Sequence, residues 1–422
     1  MKASVIIPVW NGREYLPSCL DALLVQGHSD LEVVVVDNAS ADGSADLVAE
    51  QYPHIRLIRN PVNLGFAGGG NIGLRAARGD VLVLLNQDTR VLPGWLRALI
   101  ESLRRPEVGV VGCKILYPDG KTIQHAGGWI EWPLGLAHHY GKGEQDDGQW
   151  DEAREVEYVT GAAMAFRRGI LQHVGMLDKW FWPGYFEDAD FCFRVREAGY
   201  EIWYEPKAVL IHHETTSLKH PDAVSRVYQR GRLRFLLKHL PPERLLTEFL
   251  PAEITYQPAA IRGQESLALP LAYLEAIPMA VRLLRQRWHA DDEQIRAVLV
   301  ALQTLYRRAW MERWYGVFEL DPSLLTVGAL SFSVPPLREF EFRSAAPVIG
   351  PIITRFRSWW YNIAARWAVR HLMEQQNTVN QEMVSILTKL AEEILTLGYQ
   401  IAEQATYLYP PGDEDESIQR PD

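Results

Sequence analysis

The first 112 residues alternate in a way that leaves few folds open. Short apolar runs at 4–9, 31–36, 55–58, 81–85 and 108–111 are separated by segments with helical spacing, at about 14–25, 44–52, 69–77 and 93–103. Runs such as Val33-Val34-Val35-Val36 are β-branched and uninterrupted, which suits strands buried on both faces. The alternation predicts an α/β fold with a parallel, doubly wound sheet. Such sheets bind ligands outside the carboxyl ends of their strands.

After the first run come Pro8, Val9 and Asn11; after the second, Asp37 and Asn38; after the third, Asn63; after the fourth, Asn86, Gln87 and Asp88. Asx residues alone commonly make turns, but four polar clusters in register describe one crevice of nucleotide size. Asp88 can hold a divalent cation against phosphates, since Mg²⁺ or Mn²⁺ bound this way needs only one or two protein carboxylates. It can equally cap the helix expected near residue 93. Further on, Glu187-Asp188-Ala189-Asp190 crowds three carboxylates into four residues. Mutual repulsion raises the pKa of at least one, as a general base for a hydroxyl requires. The alternative is a helix N-terminus favoured by acidic residues. His212-His213 follows another apolar run and offers a metal contact or an ordinary structural histidine.

Beyond residue 112 the alternation stops. Residues 113–240 read as irregular strands and loops, with Glu144-Gln145-Asp146-Asp147-Gly148 as a mobile acidic loop. We divide the chain into a first domain at 1–240, a proline-punctuated helical extension at 241–345, a basic aromatic segment at 346–375, an amphipathic helix at 376–409 and a disordered acidic tail at 410–422. The helix carries an apolar stripe from Val379 to Ile401 with a mean step of about 3.7 residues.

The net charge of −10 argues against a nucleic-acid binder. Cys19, Cys113 and Cys192 are odd in number and far apart. They form no disulfide framework and fit a reducing cytosol. No secretory signal or membrane span is expected from the hydropathy pattern.

The order of the motifs carries a resemblance. SVIIPVWNG, VVVVDNAS, NLGFAGGGNIGL, LLNQDT, VTGAAMAFRR, GYFEDADFCFR and a strand ending in HH occur in succession. Together they resemble the family 2 glycosyltransferases, most of all the rhamnosyltransferase-like bacterial branch, over roughly residues 1–240. The resemblance implies a GT-A fold, a Rossmann-like and mostly parallel sheet, followed here by a mainly helical C-terminal region. It implies an inverting hexosyltransferase-type enzyme using a nucleoside-diphosphate sugar, with dTDP-rhamnose a candidate donor. The implied acceptor is a glycan or lipid-linked hydroxyl in cell-surface polysaccharide synthesis.

By the same resemblance, Pro8, Val9, Asn11, Asp37, Asn38 and Asn63 line the nucleotide pocket, with Asp37 reading base or ribose. Asn86-Gln87-Asp88 occupies the DxD position, where Asp88 binds a Mg or Mn cation and the diphosphate. Asn86 replaces the first aspartate, which implies weaker metal dependence. Asp188 is the implied base, Glu187 and Trp182 contact acceptor or sugar, and His212, ahead of His213, contacts the metal.

Two rival readings stand beside this one. Gly68-Gly69-Gly70-Asn71-Ile72-Gly73 fits the dinucleotide fingerprint of an oxidoreductase. A degenerate transferase serving as an assembly scaffold is the non-enzymatic alternative. Residues 354–372 alternate Arg with Trp, Phe and Tyr, a composition suited to a membrane interface. The expected location is cytoplasmic, peripheral on the inner face of the membrane; the alternative is that this segment packs against the first domain or a partner helix, with the 376–409 helix joining two chains or docking on a partner.

Overall fold

β1 (Ala3–Val9) is buried along its whole length. In the computed structural model, which describes residues 1–214, 221–262 and 267–315, it pairs in parallel with β2 (Leu31–Asp37) and β4 (Val81–Leu85). β3 (Arg56–Arg59) adds in parallel beyond β2. The crossovers are α1 (Leu16–Leu24), α2 (Ser44–Gln51) and α3 (Gly65–Ala76). Val5, Ile7, Val33, Val35, Val83 and Leu85 enter the core on one face of the sheet. Ile6, Val34, Val36, Leu82 and Leu84 enter the core on the other. That two-sided burial is what the uninterrupted apolar runs encode.

The fifth run does not extend the parallel series. β5 (Thr89–Val91) and α4 (Trp95–Ser102) precede β6 (Val108–Leu116), and β7 (Ile123–His125) folds back on β6. β8 (Gly128–Glu131) and β9 (Leu136–His139) form a hairpin, and β10 (Arg154–Glu155) lies at the sheet edge. β11 (Ala163–Arg167) then inserts antiparallel between β4 and β6. Residues 117–162 form hairpins and no helix, so nothing returns the chain to the starting edge as a parallel crossover requires. After α5 (Ile170–Val174) and α6 (Glu187–Glu197), β12 (Glu201–His212) pairs in parallel with β6. The sheet is mixed and mostly parallel, as the resemblance implies, with β11 as the antiparallel insertion. β1, β2, β4, β6 and β12 all end at one edge, and β11 begins there.

The acidic loop is not free. Lys114 on β6 is 3% exposed. Its Nζ donates to both carboxylate oxygens of Asp146, at 2.8 and 3.0 Å, and also pairs with Asp151. A buried ammonium needs such partners, and the loop supplies them.

α7 (Pro221–His239) comes next, and in the segment assigned to the helical extension follow α8 (Pro242–Arg244), a π-helical turn at Leu245–Phe249, α9 (Leu250–Arg262), α10 (Ala268–Trp288) and α11 (Asp292–Tyr315). None of the described helices is long and apolar enough to cross a membrane. The described residues all belong to one compact unit. The segments assigned to 346–375, 376–409 and 410–422 lie outside the described residues.

A fully buried ion pair ties α7 to α9. Arg232 and Glu253 are both 0% exposed and pair through both carboxylate oxygens. Tyr273 of α10 donates to the same carboxylate, and Arg232 also reaches the carbonyl of Leu134 at 2.7 Å. Glu253→Gln leaves the guanidinium facing an amide that can accept only at its oxygen. We expect a loss of about 3 kcal/mol, the lower end for breaking a buried pair at one partner. Guanidinium denaturation of the full chain reads this directly. A shift within about 0.5 kcal/mol, the range of an ordinary surface change, would show that the pair is not stabilising.

Candidate active site

The residues at the strand ends divide by what their side chains face. Pro8 and Val9 are buried in β1, so only their backbone borders the crevice. Asn11 takes a left-handed conformation, φ 51°, and its Oδ1 accepts from the Ala41 N–H at 2.8 Å. Asn38 is 2% exposed. It donates to the Gly65 carbonyl and accepts from Asn60 Nδ2, so it joins β2 to the start of α3. Asn63 Oδ1 accepts from the Gly65 N–H. Gln87 is engaged with both backbone groups of Trp10. These amides therefore shape the crevice by holding its loops. Asn60, absent from the sequence reading, belongs with them; the third strand's end gave no signal that singled it out from Asn63.

Asp37 differs. Its Oδ2 accepts from the Ser40 N–H, while its Oδ1 is buried without a hydrogen-bond partner. An orphaned carboxylate oxygen is costly, and a ligand donor at the strand end would relieve it.

The glycine run lies inside α3, where the dinucleotide fingerprint would need it before a helix. A Cβ on Gly73 would come within 2.2 Å of Ile6 Cγ2, and one on Gly69 within 2.5 Å of Asn38 Nδ2. These glycines let the helix sit close on the sheet. The phosphate-binding turn of the rival reading is not formed.

Asp88 and His212 meet from two strands. His212 Nε2 is 3.2 Å from Asp88 Oδ1 and 3.4 Å from Asn86 Nδ2. Both Asp88 and His212 are buried. His213 points elsewhere: its ring lies 5.3 Å from that of Tyr15, and its N–H donates to the Asp88 carbonyl. A carboxylate oxygen and an imidazole nitrogen this close form a donor set for a divalent cation. Among the described residues, no group of three or more His, Cys, Asp or Glu is placed to hold a metal ion. Two protein donors still fit a cation whose shell is completed by phosphate and water.

The three carboxylates of residues 187–190 have three fates. Asp190 is 0% exposed and faces α7, where it pairs with Lys238 and His239 besides Arg194 of its own helix. Arg194 and Lys238 outweigh its burial and hold its pKa well below the usual range. It fastens α6 to α7. Asp188 is half-buried. Burial raises its pKa, opposed by the N–H groups of Gly161 and Ala189, each at 2.8 Å. Glu187 is 5% exposed, its Oε2 has no hydrogen-bond partner, and burial followed by the nearby Asp188 charge lifts its pKa well above normal. Neighbouring carboxyls in unlike environments separate into a proton holder and a charged base.

Backbone joins the two halves of the site. The Gly161 N–H holds Asp188, while the next residue's carbonyl, Ala162, accepts from the Asn86 N–H at 2.9 Å. Trp182 is half exposed and donates to the Asn63 carbonyl at 3.4 Å. Tyr185 and Phe186, just before the acidic pair, both have positive φ, 71° and 73°. Non-glycine residues held there mark a site the fold has over-determined.

The glycosyl transferase family 2 model matches residues 4–175. That region is a family 2 glycosyltransferase domain. Three curated relatives are similar to this chain. An uncharacterized protein of Sinorhizobium fredii, y4gI, is 31% identical over 245 residues, 55% of this chain and 26% of its own length. The O-antigen biosynthesis protein RfbC of Myxococcus xanthus is 32% identical over 235 residues, 53% of this chain and 18% of its own. The N-acetylglucosaminyl-diphospho-decaprenol L-rhamnosyltransferase of Mycobacterium tuberculosis is 26% identical over 241 residues, 50% of this chain and 76% of its own. This chain thus spans only about a quarter or less of the first two relatives. The family and the mixed, mostly parallel sheet agree with the GT-A fold expected from the motifs.

Proposed function

We propose that this chain is an inverting glycosyltransferase. It moves a sugar from a nucleoside-diphosphate sugar to a hydroxyl of a glycan or lipid-linked acceptor in cell-surface polysaccharide synthesis. The observation that carries this reading is the pairing of two unlike acidic centres on one strand edge. Asp88 with His212 forms a cation-binding pair, and Asp188 beside Glu187 forms a tuned base. The names of the O-antigen and rhamnosyltransferase relatives support the substrate class and make dTDP-rhamnose the first donor to test.

In this reading Asp37 and the loops held by Asn38 and Asn63 bind the nucleoside. Asp88 and His212 would hold Mn²⁺ or Mg²⁺, which when bound neutralises charge on the departing diphosphate. Asp188 takes the proton from the acceptor hydroxyl as that oxygen attacks the anomeric carbon from the face opposite the diphosphate. One displacement inverts the configuration, through a transition state of oxocarbenium character. Protonated Glu187 adds no second negative charge beside the base. Trp182 offers an exposed ring to the sugar or acceptor. A lipid-linked acceptor would bring the enzyme to the membrane surface.

The test is a panel of nucleotide sugars scored for nucleoside diphosphate release, with and without lipid-linked acceptors. Release from one donor, stimulated by one acceptor class, is the expected result. Nucleotide-sugar binding with no turnover under any pairing would favour the scaffold reading instead.

A further inference from the structure

His212 is held by a hydrogen-bond chain whose direction is fixed at its far end. The Glu214 carboxylate, when ionised, only accepts. The side-chain nitrogen of Gln124 lies 3.1 Å from Glu214 Oε2, the one orientation of that amide in which it donates there. The amide oxygen then lies 2.7 Å from His212 Nδ1. An acceptor at that distance requires Nδ1 to carry the proton. In the neutral ring the lone pair is left on Nε2, the atom 3.2 Å from Asp88 Oδ1. Asn86 Nδ2, 3.4 Å from the same nitrogen, is a donor that suits this tautomer.

The fold makes a special provision for Gln124. β7 pairs with β6 at Ile115↔His125 and then Leu116↔Ile123, with a register shift between. Gln124 is the extra residue of that bulge. Bulges re-aim a side chain and are frequent beside active sites. Here the re-aimed amide is 6% exposed, so water competes little for its bonds.

The geometry points to Gln124, oriented by Glu214, as the positioning residue that fixes His212 in the Nδ1–H tautomer and presents its Nε2 lone pair to a divalent cation shared with Asp88. This inference rests on the cation reading of the site given above. Metal-binding imidazoles are commonly oriented by a partner on their other nitrogen, and loss of that partner costs about 10- to 100-fold in metal affinity.

The test uses the full chain, Gln124→Leu and Glu214→Gln, with two readouts. Nitrogen NMR of histidine-labelled protein reports the tautomer, with the His212 signal assigned by its absence in His212→Gln. Titration with Mn²⁺ in the presence of inorganic pyrophosphate reports cation affinity. Wild type should show the Nδ1–H tautomer. Gln124→Leu should move His212 toward the Nε2–H form, which bonds Asp88, and weaken Mn²⁺ by about 10- to 100-fold. Glu214→Gln frees the amide to turn over and should give a tautomer mixture with a smaller loss. It lies at an exposed position and carries the test alone if Gln124→Leu does not fold. A wild type already in the Nε2–H form, or variants with unchanged tautomer and unchanged Mn²⁺ affinity, would overturn the role of Gln124. A wild type in the Nδ1–H form that binds no Mn²⁺ would instead overturn the cation reading, and with it the cation half of this inference.

Discussion

Asp188→Asn should lower turnover by about 10²- to 10⁴-fold, the usual contribution of a positioned general base, while nucleoside diphosphate binding persists. Asparagine keeps the shape and one acceptor oxygen. It therefore retains one of the two N–H partners, Gly161 or Ala189, and turns its NH₂ toward the other. What it loses is basicity. Single-turnover rates separate this from a folding defect, because the variant should still bind the nucleotide. The pH profile gives a second check. Burial raises the Asp188 pKa, so its charged, active form is present above that raised value and is lost as pH falls through it. The acid limb of kcat/KM should therefore lie above the ordinary aspartate value of about 3.9. Glu187, with its pKa lifted further, stays protonated where Asp188 is charged. Turnover near the wild-type level in Asp188→Asn would remove Asp188 from the chemistry.

The site was legible in the sequence to the extent that residue type sets chemistry. Uninterrupted β-branched runs could only be buried strands, and polar residues directly after them had to gather at one edge. Periodicity carries no direction, however. The run at 163–167 reads the same whether its strand runs up or down, so its antiparallel insertion between β4 and β6 was not foreseeable. Nor does an Asx or Gln residue announce which way its amide turns. Asn38 and Gln87 were expected to face a nucleotide, and both are engaged with neighbouring backbone. Asp190 looked equivalent to Asp188. Its partners Lys238 and His239 lie on a helix almost fifty residues away, beyond any local pattern. Gln124 was missed for a similar reason: its role depends on a bulge, and no isolated glutamine signals one.

Asp88→Ala should cut turnover by about 10³-fold and abolish the dependence of nucleoside diphosphate binding on Mn²⁺ or Mg²⁺, in line with the several kcal/mol a cation contributes at a leaving phosphate. Asp88 Oδ1 and His212 Nε2 are 3.2 Å apart; in the Nδ1–H tautomer proposed above both are acceptors, and a positive charge beside them relieves their repulsion. With Asn86 in place of a second carboxylate, Asp88 is the one formal negative charge among the three side chains. Removing it leaves an imidazole and an amide facing a diphosphate. His212→Ala should cost less, since the carboxylate remains to attract the cation. Truncating Asp88 leaves its backbone carbonyl in place to accept the His213 N–H, so the strand-end geometry should survive, and circular dichroism of the variant can check this. Isothermal titration of nucleoside diphosphate with and without Mn²⁺ measures the effect on binding. EDTA should reproduce it in the wild type. A wild-type rate indifferent to EDTA, or an Asp88→Ala variant whose nucleotide affinity still rises with Mn²⁺, would place the cation elsewhere and leave Asp88 a structural carboxylate at the end of its strand.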